Sequence, residues 1–369
     1  MRIYNVVELY AGVARTWEPF RSWKRAKLGL LVDNDQFAVD TYKASFPTAP
    51  YIKRNLRWMK PSEVEVLAGG KVDILLGCPP CQGFSDTGKR DPTDPRNNHI
   101  TLYGRYVEAL RPSAVVMENV PLMAESPLFT RFKQRLERCG YEFAVQLVNA
   151  AQYGSCQTRQ RLVLVAIHKT VGSVPVFDSP THGGERRYFS YQRQHLVSID
   201  DYPNELLGMT PASHRVQSTV TVTRVLGKQP IPVVSEILQG LPSLGSKKAA
   251  ELSHVPWPSS KKMIERMSRV PEGGRWRGGE DHFSHAYGRL HRRGLARTIT
   301  TYFANPGSGR FWHPSQERPL TLREAARIQG FDDSFHFQGA MSHSSRLIGN
   351  ALDGAIAAVA FRAVQRCLD

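Results

Sequence analysis

The sequence predicts an α/β protein: a mostly parallel sheet flanked by helices, joined to a smaller, irregular, β-rich domain. Three observations carry that expectation. Short apolar runs end abruptly at turn formers in Ile3–Leu9, Gly29–Asp33, Ile74–Leu76 and Ala114–Glu118, the pattern of strands buried on both faces. Segments of helical spacing lie between them, at Phe37, Val39 and Tyr42, over Tyr103–Leu110, and at Phe129, Phe132, Leu136 and Cys139. From about Lys169 the texture turns polar and rich in Pro and Gly, with short β-like pieces such as Ser218–Thr223, and helical period returns at Leu352, Ile356, Val359, Ala360 and Ala363. A chain of 369 residues has room for two domains. The expected division is 1–168 for the sheet domain, 169–296 for the second, and 297–369 for a return that packs on the first.

Composition narrows the partners. Lys and Arg exceed Asp and Glu by 49 − 33 = 16, which favours a polyanion such as nucleic acid. Five cysteines, at 78, 81, 139, 156 and 367, are odd in number and scattered, so they suit a reducing compartment rather than a disulfide framework. Cys78 and Cys81 have the spacing of a redox pair. Pro79-Pro80 between them, without thioredoxin-like surroundings, makes that the lesser reading. Seven histidines from His182 to His291 have no cysteine among them and no tight pair, so no metal is expected. The start, Met1-Arg-Ile-Tyr-Asn5, has no signal-peptide pattern and no apolar run is of membrane-spanning length, so the expectation is a cytoplasmic monomer.

Taken in order, Ile3–Leu9 reads as a first strand turning into a cofactor loop at Tyr10-Ala11-Gly12. Gly29–Asp33 is a second strand ending in an acid, the arrangement with which nucleotide-type folds meet ribose hydroxyls. Asp33 is therefore the candidate ribose ligand, and Asp35 is either a helix cap or a second ligand. Asp73–Leu76 runs into Cys78-Pro-Pro-Cys81, where the prolines stop the strand and present Cys81 where open α/β sheets bind ligands. Gln82–Asn98 is a polar loop carrying Lys89, Arg90 and Arg96, suited to closing over a phosphate backbone. Ala114–Glu118 brings Glu118 to a strand end on the same side as Cys81, so both face one pocket. Phe143–Asn149 and Arg161–Ile167 flank a hairpin whose alternation lets Arg159 and Arg161 share a side. Thr321 and Glu324 form a capping box at the start of a late helix.

Pro80-Cys81-Gln82 resembles the catalytic motif of the DNA (cytosine-5) methyltransferases; Met117-Glu118-Asn119-Val120 and Gln157-Thr158-Arg159-Gln160-Arg161 resemble two further motifs of that family, in the family's order. Tyr10-Ala11-Gly12-Val13 resembles its cofactor loop, with Ala14 and Arg15 in place of two glycines, and Arg297–Arg310, Arg318–Phe331 and Arg346–Leu352 resemble its last motifs. The resemblance covers Ile3–Ile167 and Arg297–Val364 and leaves the middle unmatched. It implies a Rossmann-like domain that binds S-adenosylmethionine through Tyr10, Ala11, Gly12, Val13, Asp33, Asn34, Asn55, Leu56, Pro79, Asn350 and Ala351. It also implies Cys81 as nucleophile toward cytosine carbon 6, Glu118 at ring nitrogen 3, Arg159 and Arg161 beside the thiol, base and phosphate, and Gln157 supporting them. Gln82, Ser85, Lys89, Arg90 and Arg96 would contact double-stranded DNA around a flipped-out base. The variable middle would read the sequence, with Arg224, Arg275 and Arg277 as candidates. Both a restriction or defence partner and a solitary modifier fit. Two alternatives stay open: a catalytically silent nucleic-acid-binding relative, given the altered Ala14-Arg15 loop, and a transfer-RNA cytosine methyltransferase, although that branch's Cys-Phe-Thr segment is absent. An NAD-type oxidoreductase fails because no Gly-x-Gly-x-x-Gly follows the first strand.

Overall fold

The computed structural model describes residues 1–80, 98–198, 221–222, 227–277 and 286–369. Seven strands make the body of one sheet: β1 (Tyr4–Leu9), β2 (Ala26–Asp33), β3 (Tyr51–Lys53), β4 (Ile74–Gly77), β5 (Ala114–Asn119), β6 (Tyr141–Asn149) and β7 (Gln160–His168). Thr221–Val222 joins at the edge, giving the spatial order β3-β2-β1-β4-β5-β7-β6 and then the added strand. Every neighbouring pair is parallel except the two that β7 makes, so β7 alone runs against the rest. Thr221–Val222 was expected in the second domain, yet it pairs with Gln146–Leu147 of β6, where an edge strand offers open backbone groups.

The central strands are apolar because both faces are covered. Along β4 and β5, Ile74, Leu76, Ala114 and Val116 enter one buried cluster, while Leu75, Val115 and Met117 enter the other, as a two-residue period requires. Helices α1 (Gln36–Ser45), α2 (Pro61–Leu67), α3 (His99–Leu110) and α4 (Pro127–Arg138) connect these strands, with α3 and α4 on the second cluster. The strand order reverses between β1 and β4, so the carboxyl ends of β1, β2, β4 and β5 bound one crevice.

Among the described residues, the middle of the chain contributes the short helices α5 (Val234–Leu238), α6 (Lys247–Glu251) and α7 (Lys261–Ser268), and small ribbons, one pairing Gly288–Arg289 with Arg310–Trp312. Then come α8 (Leu322–Ile328), α9 (Met341–Asn350) and α10 (Gly354–Leu368). The Thr321–Glu324 capping box forms, each side chain meeting the other's backbone N–H. Helix α10 buries Ile356, Val359, Ala360, Ala363 and Val364 in the first cluster, and Tyr4 Oη donates to Leu368 O at 3.0 Å. Among the described residues no single helix is long and apolar enough to cross a membrane.

The crevice floor is tightly packed. Tyr103 Oη lies 3.0 Å from Leu75 O and 2.9 Å from Val116 O, while its ring sits against Gly77, where an added Cβ would fall 2.5 Å from a ring carbon. Gly77→Ala is predicted to displace that ring and cost about 1–3 kcal/mol, lowering the urea midpoint with the m-value unchanged. An unaltered midpoint would show that the ring has room to give.

Candidate active site

The candidate cofactor side of the crevice is built on Asp33, at the end of β2. Its carboxylate accepts from Gly12 N–H and Asp35 N–H, both at 2.9 Å, and burial raises its pKa while these bonds counter the rise. A carboxylate has about four acceptor sites, so capacity remains for a ribose hydroxyl. Gly12 (φ +53°) has nothing within 4 Å of where a Cβ would sit, leaving its backbone open to a ligand, and Tyr51 Oη holds its carbonyl at 2.5 Å. These features suit the sugar and methionine parts of S-adenosylmethionine. Ala11 and Val13 bury their side chains, so only their backbone can serve. Leu56 is buried, and its carbonyl accepts from Tyr106 Oη at 2.8 Å. Asn34, Asn55 and Asn350 are exposed, and Asn55 Oδ1 accepts locally from Arg57 N–H at 3.0 Å. Asp35, left open between cap and ligand, caps α1 through Phe37 N–H (3.0 Å) and pairs with Arg346 at 2.8 Å.

The departure from the glycine-rich loop has a structural answer. Ala14 adopts the left-handed conformation (φ 54°), as does Tyr10 (φ 57°), each at a strain of order 1–3 kcal/mol that the surroundings must hold. Arg15 is 4% exposed: its Nη2 donates to Gly330 O at 2.7 Å, its Nε reaches Leu352 O at 3.5 Å, it pairs with Glu18, and its guanidinium stacks 4.3 Å from the Phe331 ring. A side chain anchored in the C-terminal segment thus fixes the loop. Tyr10 Oη meets His99 Nδ1 at 3.1 Å, tying the loop also to the first residue of α3.

The chemical side lies at the ends of β4 and β5. Asn119 Nδ2 donates to Pro79 O at 3.1 Å and its Oδ1 accepts from Val120 N–H, which fixes the turn leading toward Cys81. Glu118 Oε1 is 2.8 Å from Arg161 Nε. Cys81, Gln82, Ser85, Lys89, Arg90 and Arg96 lie outside the described residues, as does Arg224. Arg159 is 1% exposed and spends its guanidinium on the carbonyls of Ile299 (3.2 Å), Gly349 (3.1 Å) and Ala351 (3.0 Å). Burial, with Arg161 nearby, lowers it to about 9. Gln157 bridges Gln329 Oε1 (2.6 Å), Asp353 (3.1 Å) and Ile299 N–H (2.7 Å). The crevice therefore brings Asp33, Gly12, Pro79, Glu118 and Arg161 to strand ends, and places Arg159 and Gln157 beneath them.

Behind that turn lies a buried chain of polar groups that no sequence motif marks. Glu8, in β1, accepts from Trp17 N–H at 2.9 Å and from the Thr16 side chain. Thr16 Oγ1 lies 3.5 Å from Cys78 Sγ, and Cys78 also meets the Glu118 side chain. The available signal was an acid inside an otherwise apolar strand. Burial pushes the Glu8 carboxyl up to about 8 from an ordinary 4.5, and holds the Cys78 thiol well above its usual range.

Between pH 4.5 and about 8 folded Glu8 keeps a proton that the unfolded chain releases, so its stabilising contribution is full below that window and lost as pH rises through it. Glu8→Gln should become progressively more stable relative to wild type from about pH 5 to about pH 9 in urea titrations; a constant difference would contradict the buried-acid assignment. Arg15→Gly, which restores a family-like glycine, should cost about 1–3 kcal/mol because buried carbonyls lose their donor. Its urea midpoint tests this, and a gain in stability would show the loop held by its backbone alone.

The chain matches the C-5 cytosine-specific DNA methylase family over residues 4–366. It is 28% identical over 360 residues to the Type II methylase M.HgiDII of Herpetosiphon aurantiacus, covering 92% of this chain and 88% of the relative. It is 25% identical to the Type II methyltransferase M.DdeI of Desulfomicrobium norvegicum over 94% of this chain and 85% of that one. Among solved structures, a prophage-encoded E. coli protein assigned as a DNA modification methyltransferase shares the fold with a TM-score of 0.69 at 21% identity, over 99% of both chains. Spodoptera frugiperda DNMT2 does so with a TM-score of 0.66 at 17% identity, over 98% of this chain and 99% of the other. With the family spanning both the cofactor side and the Glu118–Arg161 side, the chain is a DNA (cytosine-5) methyltransferase that draws its methyl group from S-adenosylmethionine, and it belongs to the C-5 cytosine-specific DNA methylase family.

Proposed function

We propose that the chain methylates cytosine within one specific duplex DNA sequence, acting on a base turned out of the helix through a covalent Cys81 adduct. The observation that carries this reading is the Glu118–Arg161 pair at the end of β5, beside the Pro79 turn that Asn119 anchors and one strand from the cofactor loop. Cytosine carbon 5 is a poor nucleophile. Addition of the Cys81 thiolate to carbon 6 forms a C–S bond and pushes the ring's electron pair toward carbon 5, with charge also reaching nitrogen 3. Glu118, held by Arg161, meets that nitrogen with a hydrogen bond or a proton, an effect typically worth about 10²–10⁴-fold. When bound, S-adenosylmethionine supplies an electrophilic methyl group. Loss of the carbon 5 proton to a base and breakage of the C–S bond then restore the aromatic ring and the thiolate. Arg161 acts through Glu118, which it pairs; Arg159 and Gln157 act as positioning residues through the carbonyls and side chains they hold.

Residues 1–168 and 297–369 form the catalytic domain in this reading, and 169–296 the recognition domain. In this reading Lys89, Arg90 and Arg96, with Gln82 and Ser85, hold the DNA around the displaced cytosine, whose extrusion costs a few kcal/mol. The Type II relatives support a role in restriction–modification on DNA; a monomer in the cytoplasm completes this reading. The loop that kept a silent relative in view is anchored through Arg15, which favours an active enzyme.

Purified protein, tritiated S-adenosylmethionine and mixed-sequence duplex DNA, followed by bisulfite sequencing, should show protected cytosines at one recurring motif. Cys81→Ser should abolish incorporation while retaining DNA binding. Turnover by that variant would remove Cys81 as nucleophile.

A further inference from the structure

Three neighbouring strands put two acids and a thiol on one face of the sheet. In register, Glu8 of β1 lies beside Leu76 of β4, and Gly77, the last residue of β4, lies beside Met117 of β5, so Cys78 follows next to Glu118. Side chains alternate along a strand. Val7, Leu9, Leu75 and Met117 enter one buried cluster and Val6, Leu76 and Val116 the other, so Glu8 and Glu118 fall on the second side. The segment after β1 turns back over that side. Thr16, 1% exposed, places its Oγ1 3.5 Å from Cys78 Sγ and meets Glu8, whose carboxyl also accepts from Trp17 N–H at 2.9 Å. Cys78 in turn meets Glu118, which Arg161 holds through Oε1 at 2.8 Å.

Counting protons gives this row a direction. Thr16 has one O–H and can donate to only one of its two neighbours. Burial pushes the Glu8 carboxyl up to about 8, so at neutral pH Glu8 carries a proton and is itself a donor. Its O–H goes to Thr16 Oγ1, which leaves the Thr16 O–H for Cys78 Sγ. Burial first, and the Glu118 charge next, keep Cys78 a thiol. Only a thiolate attacks, so Cys78 is no second nucleophile; what it offers is an S–H for Glu118. Each bond in such a buried row polarises the next. An acid held by Arg161 alone can still swing about its own side chain, whereas one held from two sides presents a fixed oxygen to a reacting atom.

We propose that Cys78 is a positioning residue for methyl transfer, its thiol holding the Glu118 carboxyl for the base while Thr16 and Glu8 orient that thiol from the β1 side. The assignment rests on the DNA-methylating reading above, in which Glu118 meets nitrogen 3 of cytosine. The same row joins the segment after β1, on the candidate cofactor side, to the acid on the base side, so both halves of the crevice share one hydrogen-bonded path.

The test uses the full-length protein. Thr16→Val keeps the outline of the side chain and removes its O–H, and Cys78→Ala removes the thiol. Each should lower kcat roughly three- to tenfold, the worth of about one hydrogen bond, while KM for S-adenosylmethionine and for duplex DNA stays within about twofold of wild type. Thr16→Ser, which keeps the hydroxyl, should recover the lost rate. An unchanged kcat in either deleting variant overturns the proposal, as does a raised KM with kcat kept; a Thr16→Ser variant as slow as Thr16→Val marks a packing effect and overturns it too. The infrared S–H stretch reads the same contacts without turnover. The band lost in Cys78→Ala should move to higher wavenumber in Thr16→Val and in Glu118→Gln, and a band that either substitution leaves in place overturns the proposal. If Thr16→Val fails to fold, Cys78→Ala decides the rate and Glu118→Gln the band. If the wild-type protein transfers no methyl group, the DNA-methylating reading fails by itself, and the band still decides whether the thiol holds Glu118.

Discussion

The site depends on one fully buried guanidinium. Arg159 enters β7 from a hairpin, and its acceptors, Ile299, Gly349 and Ala351, come from segments 140 to 192 residues further on. A cation removed from water is tolerated only where hydrogen-bond acceptors replace the solvent. Three carbonyls do so here. Gln157 adds bonds to Gln329, Asp353 and Ile299, and Ser155 Oγ bonds Asp353 at 2.8 Å. Asp353 in turn caps α10. The carboxyl-terminal return is thus clasped to the sheet at the point where Arg161 meets Glu118, so the geometry of the chemical groups and the closure of the fold share one network.

The same economy governs the loop after β1. A glycine-rich loop relies on backbone freedom, whereas here Arg15 reaches Gly330 and Leu352, and Asp33 holds Gly12 from the other side. Two strained residues, Tyr10 and Ala14, persist between those anchors. Strain of this kind survives where neighbours over-determine the backbone. The loop after β1, β2 and the C-terminal segment are therefore held as one piece.

What could be read from sequence was what local chemistry decides. The buried strands announced themselves because both faces are covered, and the Thr321–Glu324 box because it needs only a three-residue spacing. Asp33 was visible as an acid closing an apolar run. Non-local pairing was not. Nothing in Thr221–Val222 signals that it joins the edge of β6 rather than a ribbon of its own segment. Arg159 and Arg161 share the alternation of one hairpin, but which reaches the pocket and which the carbonyls behind it depends on residues 140 positions away. Glu8, Thr16 and Cys78 come from three separate stretches, and only the fold makes them neighbours.

Net charge shows the same distinction. A surplus of 16 positive residues suggests a polyanion, yet Arg15, Arg159, Arg289, Arg310, Arg318 and Arg323 are each less than 10% exposed and cannot reach a phosphate in open solvent. Arg323 binds the carbonyls of Leu252, Asp332 and Phe335, and Arg318 forks onto Glu324. Arginine suits this task because it presents five donors in a plane and keeps its charge. A carbonyl accepts a hydrogen bond without cancelling that charge. Guanidinium groups held mainly by backbone oxygens, as in Arg159, therefore still add to the positive field outside the protein, which draws DNA in from a distance. The arginines that staple the fold and those that meet DNA contribute to one potential, so the surplus measures attraction while only the exposed members can measure contact.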